Sequence, residues 1–320
     1  MLDRRFSIAP MMDHTDKHFR YFMRLLTKHS VLYTEMITTG ALIHGNSKQF
    51  LDFNPNEHPL AIQLAGNNPN DLAHCARMAE SEGYDEINLN IGCPSDRVQN
   101  GKFGVSLMAN KNLVAECVSK ISANVKIPVT VKTRIGIDDN DSYEFLMEFI
   151  ETVSNSGCDT FIIHARKAIL EGLSPKENRN IPPLNYERVH KIKRNFPRLN
   201  VIINGGFTEI KQIKAQLAHV DGVMVGRAAY QNPFMLVEID NLIFNDMESS
   251  ITRRSVLEKY KIYMEEQIKR GVNLKNLIRH VVGLYKGQPG SRKYRQMLSC
   301  AIPENKNNIQ FLEEIIESIS

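Results

Sequence analysis

The chain has 320 residues, with 40 Lys and Arg against 36 Asp and Glu, a formal charge of +4 at pH 7. Its 42% hydrophobic and 24% charged residues are the balance of a globular protein that can bury one large core and a smaller annex. That balance excludes collagen-like and disordered chains, and no stretch reaches the roughly 20 apolar residues of a membrane helix.

The five cysteines (75, 93, 117, 158 and 300) form no Cys-x-x-Cys pair and have no histidine at metal-ligand spacing. Reduced thiols and no metal are expected. MLDRRFSIAP has no apolar run behind its charges, so a cytoplasmic protein without a secretory leader is expected.

Taken in order, short apolar runs occur at Phe6–Ala9, Val31–Met36, Leu60–Ala65, Glu86–Asn90, Val129–Arg134, Thr160–Ala165, Val201–Asn204 and Gly222–Val225. Between them lie amphipathic segments. Asp16–Lys28 places Phe19, Phe22, Met23 and Leu26 at helical spacing, Asp71–Glu82 follows Asn70 as a candidate cap, and Asn112–Ala123 and Tyr143–Ser154 repeat the pattern. Strands rich in Val and Ile alternating with helices predict a parallel sheet. Eight such units in about 230 residues predict an α/β protein of the (β/α)8 barrel type. The competing arrangement, a doubly wound open sheet, lacks its Gly-x-Gly-x-x-Gly fingerprint after the first strand.

A barrel of this kind gathers functional groups where its strands end. The first run delivers Pro10, Met11 and Met12, the third Gln63, the fourth Asn90 and Cys93, and the fifth Lys132 and Arg134. The sixth delivers His164, the seventh Asn204-Gly205-Gly206, and the eighth Gly226-Arg227. Two glycine turns and a cation after the last two strands suit a bound phosphate. Lys132 fits either of two chemistries: an amine nucleophile of an aldolase, or a cation beside a reduced flavin. Cys93 is either a small core residue or a working thiol, and Pro94 holds it on an extended turn.

The connection Arg166–Arg198 carries nine Lys and Arg against three Glu, which suggests an anionic macromolecule across the barrel mouth. Beyond Asn245 the pattern turns helical, over Thr252–Arg270, Leu274–Lys286, Ser291–Ser299 and Ile309–Ser318. The expected division is a barrel over 1–240 and a helical domain over 245–320. Between Lys269 and Arg295 there are eight basic residues and no acidic one, with Tyr285 and Tyr294 among them. Tyrosines stacking on bases within a cationic face would suit nucleic acid.

At this point APMMDHTDKHFR, AIQLAG, INLNIGCPSDRVQNGKFGVSLM, VKTRIGID, IIHARKAILEGLSPKENRNIPPL, NGGF and GRAAYQNP together resemble the tRNA-dihydrouridine synthases. Their order and spacing look like the bacterial A-type subfamily, which acts on D-loop uridines. The resemblance implies an FMN enzyme that reduces the C5–C6 double bond of uridine in tRNA, around position 20/20a, with NADPH reducing the flavin. It implies flavin contacts at Pro10, Met11 and Met12, with Gln63, Lys132 and His164 around the ring and ribityl chain. Asn204, Gly205, Gly206, Gly226 and Arg227 would hold the phosphate. Asn90 would meet the uracil edge, and Cys93 would protonate C5, a task for which an ordinary thiol is in the right protonation state at neutral pH. Lys176, Arg179, Arg292 and Arg295 would grip tRNA, for which a monomer suffices. The rival reading is an FMN-dependent reductase of a free small molecule, of pyrimidine or enone type.

Overall fold

A computed structural model describes residues 2–95, 101–246, 251–304 and 310–318. Eight strands form: β1 (Phe6–Ile8), β2 (Leu32–Thr38), β3 (Leu60–Ala65), β4 (Glu86–Ile91), β5 (Val129–Arg134), β6 (Thr160–His164), β7 (Asn200–Asn204) and β8 (Gly222–Val225). They pair in parallel in the order β1-β8-β7-β6-β5-β4-β3-β2, and a single bridge between Ser7 and Val31 joins the two ends. The result is the expected (β/α)8 barrel with further helices after it. At Gly222 an added Cβ would lie 2.0 Å from the Arg4 carbonyl oxygen. Only glycine lets β8 approach the chain entering β1 this closely.

Period-two alternation sorts the strand side chains. Leu60, Ile62 and Leu64 of β3 and Ile87, Leu89 and Ile91 of β4 join the surrounding helices in the main core. The barrel interior holds a small separate cluster, which includes Tyr33, Ala61, Ile162, Ile202 and Met224. It also holds buried polar groups: Glu86, Asn88 and Thr130 are 0% exposed. The asparagines of β4 therefore face the barrel axis, and the apolar residues between them face the helices.

Helices Lys17–Arg24, Pro69–Glu82, Lys111–Ser122, Tyr143–Ser154, Tyr186–Asn195 and Ile210–Gln216 lie between strands. The first is shorter than the amphipathic pattern over Asp16–Lys28, because Asp16 is its cap, accepting from the Phe19 N–H at 2.9 Å. Asn68, and not Asn70, caps the second: Pro69 fits the first helical position, where no N–H is needed, and Asn68 accepts from Asn70 and Asp71. The pattern over Leu274–Lys286 becomes a helix only over Leu274–Ile278. Gly283, Gly287 and Gly290 disfavour its continuation, and a Cβ at Gly283 would strike the Tyr230 and Gln231 carbonyls at 2.8 Å.

The C-terminal helices dock on the first barrel helix. Tyr263 of Arg253–Lys269 stacks on Tyr21 with ring centres 3.8 Å apart, and Tyr260 lies 5.1 Å from Phe22. Asp16 pairs across the same junction with Arg279 and, at 3.1 Å, with His280. Burial opposes its charge, yet these partners and the Phe19 N–H hold its carboxyl far below the usual range.

The stacking role expected of Tyr294 is overturned. Tyr294 is fully buried, its hydroxyl donates to the Val281 carbonyl at 2.9 Å, and its ring packs against the buried Tyr285 at 4.6 Å. Tyr294 belongs to the core, where a base cannot reach it, whereas Tyr285 keeps an edge in a surface pocket beside Phe234 and Arg253. Asp96–Asn100 of the cysteine motif, Ile309 and the side chain of Cys300 lie outside the described residues. Among the described residues no helix is long and apolar enough to cross a membrane.

Candidate active site

The C-terminal ends of the strands surround a cavity of about 760 Å³. From the expected set, its lining takes Pro10, Met11, Met12, Gln63, Asn90, Cys93, Lys132, His164, Arg179, Asn204, Gly205, Gly206, Gly226 and Arg227. Lys176, Arg292 and Arg295 are exposed and line no part of it. Thr15 fixes the turn after β1, accepting from the Met11 N–H at 3.0 Å and donating to its carbonyl at 3.2 Å.

The β4 end is built around Asn90. Its Oδ1 accepts from the N–H groups of Gly92 (3.1 Å) and Cys93 (2.9 Å), and its Nδ2 donates to Gln63 Oε1 at 2.8 Å. Cys93 is half-buried with its sulfur 3.4 Å from Ser95 Oγ. Arg134, the inward neighbour of Lys132, holds the same turn from beneath. Its Nε donates to the Gly92 carbonyl at 2.9 Å, and Nη1 donates to the carbonyls of Lys167 (3.0 Å) and Asn178 (3.1 Å).

Asn178 is the buried stake of the basic connection. Its side chain accepts from the Ile169 N–H at 2.8 Å and donates to the carbonyls of Ile169 (2.8 Å) and Leu173 (3.1 Å). The loop so folded brings Pro175 and Arg179 to the cavity. Arg227 ties it to the end of β8 by donating to Asn180 Oδ1 at 2.9 Å. Arg134 emerges from the sequence as a strand-end cation, but its three carbonyl partners lie on loops and leave no local signature. Asn178 looks like any polar loop residue.

The cavity is electropositive. Burial, then Arg134, lowers the Lys132 pKa to about 8, with Cys93 acting in the opposite direction. Burial, then Arg134, Lys132, Arg166 and Arg227, pushes His164 well below its ordinary value, so its imidazole is neutral. His164 Nδ1 and Arg166 Nε are buried without a protein partner, and such groups are costly unless an occupant meets them. Next to them Gly205 and Gly206 take φ of +128° and +78°, and a Cβ at Gly206 would come 2.7 Å from Leu184. This bare backbone with cations around it fits a phosphate.

A glycine cradle, a cationic mouth and a thiol at the C-terminal end of a parallel barrel are the furnishings of a barrel enzyme whose mouth fits a phosphate-bearing ligand. The family model described as dihydrouridine synthase (Dus) matches residues 7–320. The chain belongs to that family. A tRNA-dihydrouridine(20/20a) synthase of Shewanella oneidensis is 54% identical over 318 residues, covering 99% of this chain and 95% of the relative. Those of Vibrio cholerae and Escherichia coli are 53% and 54% identical over 317 residues, covering 98% and 99% of this chain and 96% and 92% of theirs. Among solved structures, a 2-naphthoyl-CoA reductase in complex with 2-naphthoyl-CoA is similar with a TM-score of 0.57 and 12% identity, over 73% of this chain and 49% of the other. A histamine dehydrogenase from Rhizobium sp. 4-9 is similar with a TM-score of 0.56 and 15% identity, over 79% and 48%. The chain spans about half the length of these two, and at such identities the likeness concerns the barrel fold alone.

Proposed function

We propose that this chain reduces the C5–C6 double bond of D-loop uridines, around position 20/20a of tRNA, to dihydrouridine, with FMN in the barrel mouth and NADPH as the source of electrons. Family membership and near-full-length similarity to tRNA-dihydrouridine(20/20a) synthases support the reaction. The observation that carries it to these residues is the convergence of Cys93 and Asn90 of the β4 end with the glycine cradle of β7 and β8 in one cavity.

When bound, FMN would supply the hydride for C6 of the uracil ring. The chain's own residues do the rest. Pro10, Met11 and Met12 would wall the ring, and Gln63, Lys132 and His164 would meet its edge and ribityl chain. Asn204, Gly205, Gly206, Gly226 and Arg227 would hold the phosphate. Asn90 meets the uracil edge, and the Cys93 thiol gives its proton to C5. A stacked base cannot enter such a cavity, so the uridine is flipped out of the tRNA. Lys176 and Arg179 at the rim and Arg292 and Arg295 on the helix Ser291–Glu304 grip the backbone. In this division of labour residues 1–240 are catalytic and 245–320 bind tRNA, and one copy of the chain in the cytoplasm suffices.

The test is dihydrouridine formation, mapped by position, in tRNA that lacks it, using purified protein with FMN and NADPH. Wild-type protein is expected to modify the D loop, and Cys93→Ala to be slower by about a hundredfold or more. Product retained by Cys93→Ala removes the thiol as acid. No product from any native tRNA, with turnover on free uracil or an enone, replaces the reading with a small-molecule reductase.

A further inference from the structure

A column of hydrogen bonds runs up the inside of the barrel and ends at the Cys93 turn. At its foot the fully buried Glu86 binds Arg4, with Nε and Nη2 both 2.7 Å from Oε2. Its other oxygen accepts from the hydroxyls of Tyr33 and Thr130, each at 2.7 Å. Arginine can only donate, and the Tyr33 and Thr130 hydroxyls both donate to the carboxyl, so Glu86 is the acceptor in every one of these contacts. Thr130 has a single proton, and Glu86 takes it. Towards Asn88 the Thr130 oxygen can then only accept, and Asn88 Nδ2 donates to it at 2.8 Å. This turns Asn88 Oδ1 towards Gln63, whose Nε2 donates at 2.8 Å. Gln63 Oε1 in turn accepts from Asn90 Nδ2 at 2.8 Å, leaving Asn90 Oδ1 for the two backbone N–H groups of Gly92 and Cys93.

Both ends demand the same polarity. The carboxylate at the foot only accepts and the N–H groups at the top only donate, so no amide between them can flip without two like groups facing each other. The consequence reaches the cavity. Both lone pairs of Asn90 Oδ1 are occupied, and one proton of its Nδ2 remains. Gln63 likewise keeps one Nε2 proton. The cavity is therefore offered amide donors at this wall.

We propose that Glu86, Thr130 and Asn88 are positioning residues that set the cavity's choice of base. By holding Gln63 Oε1 towards Asn90 they act with the Gly92 and Cys93 N–H groups to keep the Asn90 amide turned, so that its free N–H suits a pyrimidine bearing a carbonyl, as uracil does at C4, and rejects one bearing an amino group there, as cytosine does. This rests on the reading above that Asn90 meets the base edge. A site built to hydrogen-bond a group discriminates strongly against its replacement, because the mismatch leaves two donors facing each other in a buried place.

Thr130→Val keeps the shape of the side chain and removes the link, and Thr130→Ser keeps the hydroxyl. Asn88→Leu cuts the column one link higher. Each flavin-loaded protein is first reduced with NADPH. It is then mixed with a tRNA transcript bearing uridine at position 20, or with the same transcript bearing cytidine there, and flavin reoxidation is followed. The wild type should strongly prefer the uridine transcript. Thr130→Val and Asn88→Leu should each reoxidise about tenfold more slowly on uridine and show a narrowed preference over cytidine. Thr130→Ser should restore both. Flavin content and reduction by NADPH should be the same in all. A preference left intact in both cut columns, or an equal fall in both half-reactions that serine does not rescue, overturns the proposal. If the wild type is reduced by NADPH but not reoxidised by the uridine transcript, the underlying reading falls, and this proposal with it.

Discussion

Lys132 shows what the cavity asks of a single residue. Burial and the neighbouring Arg134 hold its pKa at about 8, against 10.5 for a free lysine. Below pH 8 it is charged in both the folded and unfolded chain, and the flavin-free fold carries the full cost of that buried charge. Between about 8 and 10.5 the folded protein loses the proton first and the cost fades. Lys132→Met is therefore expected to raise the melting temperature of flavin-free protein at pH 7, with the gain vanishing as the pH approaches 10.5. Melting curves of both proteins across that range check it, and a gain that does not change with pH would refute it. At this scale the sequence was informative about identity and silent about direction. Lys132, His164 and Cys93 stand out because such residues seldom end an apolar strand. In Glu86-x-Asn88-x-Asn90 the alternation is visible, but which way each amide points depends on Arg4 and Thr130, far off in the chain. Tyr294 is deceptive in sequence for the same reason, since its cationic neighbours do not tell that its hydroxyl reaches the Val281 carbonyl inside.

Among the elements, the strands were the most legible. The runs at Leu60–Ala65, Val129–Arg134 and Gly222–Val225 became β3, β5 and β8 without change, and Tyr143–Ser154 became a helix with Ser142 as its cap. Local periodicity and caps set these boundaries, so a local reading recovers them. The basic connection was legible only as charge. Its course depends on Asn178, one buried amide that satisfies backbone groups at Ile169 and Leu173 while Arg134 holds its carbonyl. Asn178→Ala leaves those groups unpaired at a cost of about 1–3 kcal/mol, enough to release Pro175 and Arg179 from the mouth. The expected result is a KM for tRNA raised about tenfold, with flavin content and NADPH-dependent flavin reduction kept. An unchanged KM would remove the folded loop from substrate binding.

Across the whole molecule, the barrel and the helices after it could be read from the sequence, but the way they join could not. The junction uses Asp16, His18 and Tyr21 from one end of the chain and Tyr263, Arg279 and His280 from the other, a separation no local pattern spans. The join of the barrel to itself is weaker. β4 and β5 share a register five residues long, from Ile87 with Val129 to Ile91 with Thr133. β1 meets β2 through the lone Ser7–Val31 bridge, with the Ile8 N–H on the Val31 carbonyl at 3.0 Å and the Val31 N–H on Phe6 at 3.3 Å. Opening is easiest where the ladder is shortest. The amides of Ile8 and Val31 are thus expected to exchange with deuterium faster than those of β4 and β5, and to slow when FMN is added; equal rates, or no slowing, would contradict this. The barrel is in effect a sheet with a seam, and Met11 and Met12 stand just past it. A cofactor reaching from this strand end to β7 and β8 would work as a rivet, making occupancy of the site a condition of the barrel's own closure.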